Sequence, residues 1–271
     1  MSLTVDALAE TLAQVRQKQP VVHVITNWVT AGDVAGTLHA AGARPIMAFA
    51  LEEVNDIVSG ANALVLNLGT PDPSRIKAML QAGHCANSLS LPVIFDPVGV
   101  GASRFRAEAA ERILSDLRIA IIRGNRAEIG ALAGMGGELR GIDTATAPPD
   151  LRAAAGTLSL RTEAVVAVTG PQDLVVSGGK AVIVENGHPM MSQVTGMGCR
   201  LTALIGAFAA VETDLIAATV GAIAFFGLAG EQAALRAEGP GTFKAAFLDA
   251  IYSLTPAEFQ RGLKLTEQKI R

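Results

Sequence analysis

Val194-Thr195-Gly196-Met197-Gly198-Cys199 opens a long apolar stretch and is the most chemically pointed run in the chain. Small residues there let consecutive backbone N–H groups converge on an anion, and a helix N-terminus adds about half a positive charge. A phosphate group is held this way without a lysine. The same field favours the thiolate of Cys199, since a free cysteine has a pKa of about 8.5. A cysteine so placed accepts a proton from a substrate hydroxyl, or orients it. The bland alternative is a glycine turn capping a core helix, with Cys199 a small buried side chain. Two familiar phosphate motifs do not fit. A dinucleotide fingerprint needs a third glycine where Leu201 stands. A Walker-type loop needs Gly-Lys followed by Ser or Thr, whereas Gly179-Lys180 is followed by Ala181. Covalent catalysis by Cys199 needs a base, and nothing in the sequence brings His23, His39, His84 or His188 to it.

Other polar candidates stand where apolar runs end. They are Thr26-Asn27, Asn67-Leu68-Gly69-Thr70, Asp96-Pro97-Val98-Gly99, Arg123-Gly124-Asn125 and Thr169-Gly170. Turns after strands favour such residues anyway, but ligands of parallel sheets bind at the carboxyl ends of the strands, so the set predicts a small-ligand cleft. Arg123 is a permanent cation suited to phosphate oxygens. Asn125-Arg126-Ala127-Glu128 starts the next helix, and its spacing turns Glu128 toward the strand edge that carries Asp96. Two carboxylates beside a phosphate site are a usual way to hold Mg²⁺. Glu128 also suits the positive end of its own helix.

The elements that must position these residues alternate in the βαβ manner of a parallel sheet. Expected strands are Val21–Ile25, Pro45–Phe49, Ala63–Leu68, Pro92–Asp96, Ile119–Arg123 and Ala164–Thr169. Asp173–Ser177 and Ala181–Glu185 flank Gly178-Gly179 and read as an edge hairpin. Asp72–Leu89 and Phe105–Asp116 read as helices, and the chain beyond Gly198 as almost wholly helical. Gly134 to Pro149 is the expected mobile surface loop. Because the alternation resumes after it, residues 1–271 are read as a single domain.

Composition agrees with layered helices on a sheet. Half of the 271 residues are hydrophobic but only 4% aromatic, so Ala, Val, Ile and Leu must build the core. The net charge of −3 offers no basic stripe for a nucleic acid. Two cysteines, Cys85 and Cys199, are too few for a disulfide framework and point to a reducing, cytoplasmic setting. Acidic Asp6 and Glu10 do not suit a signal peptide. The uncharged stretch Leu215 to Gly230 reads as a buried core helix rather than a membrane span, with Glu212 and Asp214 breaking it from the apolar run before.

Taken in order, these segments resemble the hydroxyethylthiazole kinase family of thiamine salvage, within the ribokinase-like superfamily. The likeness rests on His23 with Ile25-Thr26-Asn27, Ala40 to Ala48, Leu64 to Thr70, Phe95 to Ala102, Ile122 to Glu128, Ala167 to Gly170 and Val194 to Cys199. It spans nearly the whole chain and is poorest near Gly134–Asp150. It implies a three-layer α/β/α fold with a mostly parallel central sheet, and transfer of the ATP γ-phosphate to the hydroxyethyl group of 4-methyl-5-(2-hydroxyethyl)thiazole. It also implies a homotrimer with active sites between subunits. On this resemblance Met47, Asn27 and the backbone amide of Gly196 meet the thiazole, and Arg123, Thr169 and Asn125 meet ATP. Cys199 takes the place of the Asp found in most of the superfamily, and Asp96 and Glu128 support Mg²⁺. Some positions depart from the family pattern: Val24, Gly32 and Gly36 stand at or near usual Asn positions, Met197 replaces a smaller residue, and Arg200 stands where an apolar residue is usual. Arg200 is expected to face solvent or pair with an acidic neighbour. The rival readings are a kinase of another ring alcohol on the same fold, an ATP- or ADP-dependent NAD(P)H-hydrate dehydratase, and a non-catalytic ligand-binding protein.

Overall fold

The computed structural model describes residues 3–135, 139–140, 143–144 and 150–269. The elements in chain order are α1 (Val5–Lys18), β1 (Val21–Ile25), α2 (Ala31–Ala41), β2 (Arg44–Ile46), α3 (Val54–Ser59), β3 (Ala63–Asn67), α4 (Pro73–Ser88), β4 (Val93–Asp96), α5 (Arg104–Asp116), β5 (Ile121–Asn125) and α6 (Arg126–Leu132). Then come β6 (Leu139–Arg140), β7 (Asp143–Thr144), α7 (Leu151–Thr162), β8 (Val165–Thr169), β9 (Asp173–Ser177), β10 (Lys180–Val184), α8 (Met197–Ala209), α9 (Leu215–Ala234), α10 (Pro240–Ser253), α11 (Pro256–Gly262) and β11 (Leu265–Lys269). Most of the expected loop Gly134–Pro149 lies outside the described residues.

Among the described residues, nine strands form one sheet in the order β11-β10-β9-β8-β5-β4-β3-β1-β2. Pairing is parallel from β2 through β8 and antiparallel from β8 to β11. Successive strand residues face opposite sides, and both sides are buried. On one face Val22, Val24, Val65, Ile94 and Ile121 join a core with α1, α2, α8, α9 and α10. On the other, Ile25, Leu64, Leu66, Phe95 and Ile122 join a core with α3 to α7. All five residues of β3 are buried, which is why the strand reads as an unbroken apolar run rather than an alternating one. The three-layer, mostly parallel arrangement is the one expected.

Polar residues at the strand–helix junctions fix where helices begin. Asp72 caps α4 through the amides of Ser74 and Arg75, Ser103 caps α5, and Asn125 caps α6. β2 is shorter than expected: pairing stops at Ile46, and the chain turns off the sheet edge where the buried His23 Nε2–H donates to the Ala48 carbonyl at 2.7 Å. β5 starts later and ends later than expected, because its last residue is the cap of α6. The C-terminal third is not wholly helical, since Leu265–Lys269 adds an antiparallel edge strand against β10. Among the described helices, α9 alone is long and apolar enough to cross a membrane, and most of it is buried inside the protein as a core helix.

Candidate active site

Parallel pairing brings the carboxyl ends of β1, β3, β4, β5 and β8 to one edge. Asn67 and Asp96 end adjacent strands in register, as do Asn125 and Thr169. The side chains of Asn67, Asp96 and, through Arg123, Thr169 form one network, while that of Asn125 caps α6. Asn27, just past β1, donates through Nδ2 to Asn67 Oδ1 at 3.1 Å and lies 3.3 Å from Cys199 Sγ. Its Oδ1 accepts from the amide and hydroxyl of Thr30, at 3.0 and 3.1 Å. Asn67 Nδ2 and Thr202 Oγ1 each donate to Asp96 Oδ2 at 2.8 Å.

Asp96 has no solvent exposure, yet its Oδ1 has no partner. Burial pushes its carboxyl above the ordinary range, against the pull of Arg123, whose Nη1 is 3.8 Å from Oδ2. Arg123 also donates from Nη2 to Thr169 Oγ1, and its buried Nε is unpartnered. Arg123 therefore stands between a carboxylate and the end of β8, and does not bond to Glu128. Glu128 presents one oxygen to the Gly99 amide at 2.9 Å and the other to the Asn125 amide at 2.8 Å, closing a capping box with Asn125. Burial first, and then Asp96, raises its pKa.

The run Gly196–Cys199 does begin a helix. Gly196 is the N-cap of α8 with φ +85°, and no side chain caps that N-terminus. A Cβ at Gly196 would lie 2.5 Å from Thr30 Cγ2, and one at Gly198 would collide with the Arg123 guanidinium. Glycine at these positions lets the helix end sit directly on the network. Its orphan N–H groups and positive dipole end are suited to an anion. The thiolate expectation for Cys199 is overturned. Burial and then the Asp96 charge push the thiol up, outweighing the pull of Thr30, Arg123 and Asn67. At neutral pH the group is a thiol.

Cys199, Asn27, Asp96, Arg123, Thr169, Asn125, Glu128 and Gly196 thus lie on one sheet edge and the helix end above it. Met47 follows the carboxyl end of the parallel edge strand β2, half-buried against the α8 side of the core. Sequence reasoning missed Thr30 and Thr202; Thr202 falls one turn beyond Gly198, whose carbonyl also accepts its hydroxyl, a spacing that places it on the same helix face. Arg200 is buried, with Nη2 3.0 Å from Asp33, so of its two expected surroundings it has the acidic neighbour. For Mg²⁺, Asp96 Oδ1 fits as a ligand atom, being a buried carboxylate oxygen without a partner. Glu128 has both oxygens engaged by backbone. Among the described residues no group of three or more His, Cys, Asp or Glu side chains is placed to hold a metal alone.

An uncapped helix end over an Arg–Asp pair at the switch from strand to helix is suited to a phosphoryl group, on a sheet of the ribokinase-like kind. The pyridoxal kinase of Staphylococcus aureus, in complex with pyridoxal, shares this fold at a TM-score of 0.65, with 15% identity over 92% of this chain and 98% of that one. The family model for hydroxyethylthiazole kinases matches residues 12–257, and the chain belongs to that family. A hydroxyethylthiazole kinase from Desulforudis audaxviator is 47% identical over 95% of this chain and 94% of its own. The hydroxyethylthiazole kinase structure from Pyrococcus horikoshii superimposes with a TM-score of 0.89, at 37% identity over 97% and 99% of the two chains.

Proposed function

We propose that the protein transfers the γ-phosphate of ATP to the hydroxyethyl oxygen of 4-methyl-5-(2-hydroxyethyl)thiazole, a step of thiamine salvage in the cytoplasm. The observation that carries this is Cys199 in the first turn of the uncapped α8, beside Asn27 and above the Arg123–Asp96 pair. The oxygen–phosphorus bond to the alcohol forms as the bond from the γ-phosphorus to ADP breaks. The transition state is loose, so positioning and charge stabilisation contribute more than proton removal. A protonated Cys199 suits that economy: it orients the hydroxyl, whose proton passes to an oxygen of the transferring phosphoryl group, and from there to water, as the new bond forms. Arg123 and the α8 amides, Gly196 included, hold the transferring phosphoryl group, and Thr169 and Asn125 border the nucleotide. Asp96 would hold Mg²⁺ through Oδ1, with Glu128 in support through the Gly99 turn; the ion supplies charge neutralisation between phosphates. Met47 and Asn27 border the thiazole.

One catalytic unit over residues 1–271, assembled as a homotrimer with substrate sites between subunits, completes the reading. It is supported by exposed apolar side chains close to Asn27, namely Trp28, Val29 and Phe49, and by two unpaired cysteines that suit a reducing compartment. ADP release measured with and without the thiazole alcohol tests the proposal. Release should depend on the alcohol and stop when a chelator removes Mg²⁺. Release unaffected by the alcohol would refute the acceptor, and release unaffected by the chelator would refute the metal assignment.

A further inference from the structure

Gly32, Asp33 and Gly36 on α2, Arg200 on α8, and Gly241 and Lys244 on α10 line a cavity of about 300 Å³. None of these side chains belongs to the network around Cys199. Asp33 Oδ1 is 3.0 Å from Arg200 Nη2 and 2.9 Å from Lys244 Nζ, so one carboxylate serves two cations and the lining keeps an excess positive charge. Arg200 is 2% exposed and its Nε has no partner, while its Nη1 meets Met197 Sδ at 3.9 Å. A buried guanidinium with unfilled donors is costly unless an acceptor reaches it.

Two helix N-termini border the same space. Gly32 is the second residue of α2 and Gly241 the second of α10; no side-chain bond caps α2, and at α10 the Thr242 hydroxyl accepts from the Gly239 and Glu238 amides. Orphan amides and two positive dipole ends therefore reinforce the cations. A Cβ at Gly32, Gly36 or Gly241 would meet nothing within 4 Å, so these glycines leave room rather than allow close packing. Three of the departures from the family pattern, Gly32, Gly36 and Arg200, fall together here.

We infer that this cavity is a second anion site that takes a protonated phosphate group, free or carried on a small organic molecule. Arg200, Lys244 and the helix amides donate to its oxygens, and the remaining phosphate O–H donates to Asp33. Sulfate, which has no proton at neutral pH, leaves Asp33 facing an oxygen without a hydrogen.

Calorimetric titration of the full chain with inorganic phosphate tests this, with the nucleotide site saturated by Mg²⁺ and a non-hydrolysable ATP analogue. A phosphate-binding event should persist. Gly36→Leu, which fills the cavity, and Lys244→Ala should each weaken it roughly tenfold or more, with analogue binding retained as the check on folding. Sulfate should bind roughly tenfold more weakly. Glycerol phosphate, compared with phosphate at about pH 5.5 where the ester keeps one O–H, separates the two sources: tighter binding assigns the site to an ester and weaker binding to the free ion, and both uphold it. Loss of the event once the nucleotide site is full, an event that both variants leave untouched, or sulfate binding as tightly as phosphate would each overturn it.

Discussion

Cys199 occupies a position where two fields compete. The end of α8 draws negative charge toward the sulfur, while burial and Asp96 oppose it, and the opposing pair prevails. Removing the side chain therefore costs alignment of the hydroxyl rather than a base. Cys199→Ala should lower kcat roughly 10²-fold, as loss of alignment does, with ATP affinity and melting temperature little changed. A variant near wild type in rate would return Cys199 to a packing role. Because the thiol stays protonated, kcat should not climb tenfold per unit between pH 6 and 8, as it would if the thiolate were the base. Asp173 offers a separate check on electrostatics. Burial raises its pKa to about 6 despite the Gly170 amide and the Arg123 charge. The folded state therefore holds the proton more tightly than the unfolded chain, and stability falls as pH rises from about 4 through 6. Asp173→Asn, which can still accept from Gly170, should flatten the melting temperature across that window and gain about 1–2 kcal/mol at pH 7, the side chain being partly accessible. An unchanged pH dependence would contradict the assignment.

At the level of elements, the turn into α8 works only because two glycines permit close approach. Gly198→Ala should push the Arg123 guanidinium off Thr169 and Asp96, raising the KM for ATP roughly tenfold or more with a much smaller effect on the KM for the alcohol; equal effects on both would place Arg123 elsewhere. The strand ends and this turn were legible in the sequence because buried parallel strands leave unbroken apolar runs and the polar residues must follow them. β11 was not, since Leu265-Thr266-Glu267-Gln268-Lys269 has one apolar residue and pairs only as an edge against β10. Thr202 was invisible because it acts on Asp96, far away in the chain, and Thr30 because a threonine three residues past Asn27 reads as an ordinary turn residue. The arginines show the same limit. Arg75 is 1% exposed, with Nη1 held by the Thr70 carbonyl and hydroxyl and its guanidinium 4.4 Å from the Trp28 ring. Charge alone would have placed it at the surface.

Across the molecule, the sheet edge that carries Asn27 and Asp96 adjoins an exposed apolar surface. Trp28 and Val29 are 62% and 68% exposed directly after Asn27, and Trp28 meets Phe49 edge-on at 4.9 Å. Apolar surface of this kind beside a site argues for a covering subunit, and light scattering should report a homotrimer at working concentrations; a monomer throughout would remove the shared substrate pocket. The central claim concerns the acceptor, and competition decides it most directly. Incubated with Mg·ATP and equal concentrations of the hydroxyethylthiazole, a hydroxymethylpyrimidine and pyridoxal, the protein should yield chiefly the thiazole monophosphate by mass. Its kcat/KM should exceed that for either rival by roughly tenfold or more. Preferential phosphorylation of the pyrimidine or of pyridoxal, or no phosphorylated product at all, would contradict the account.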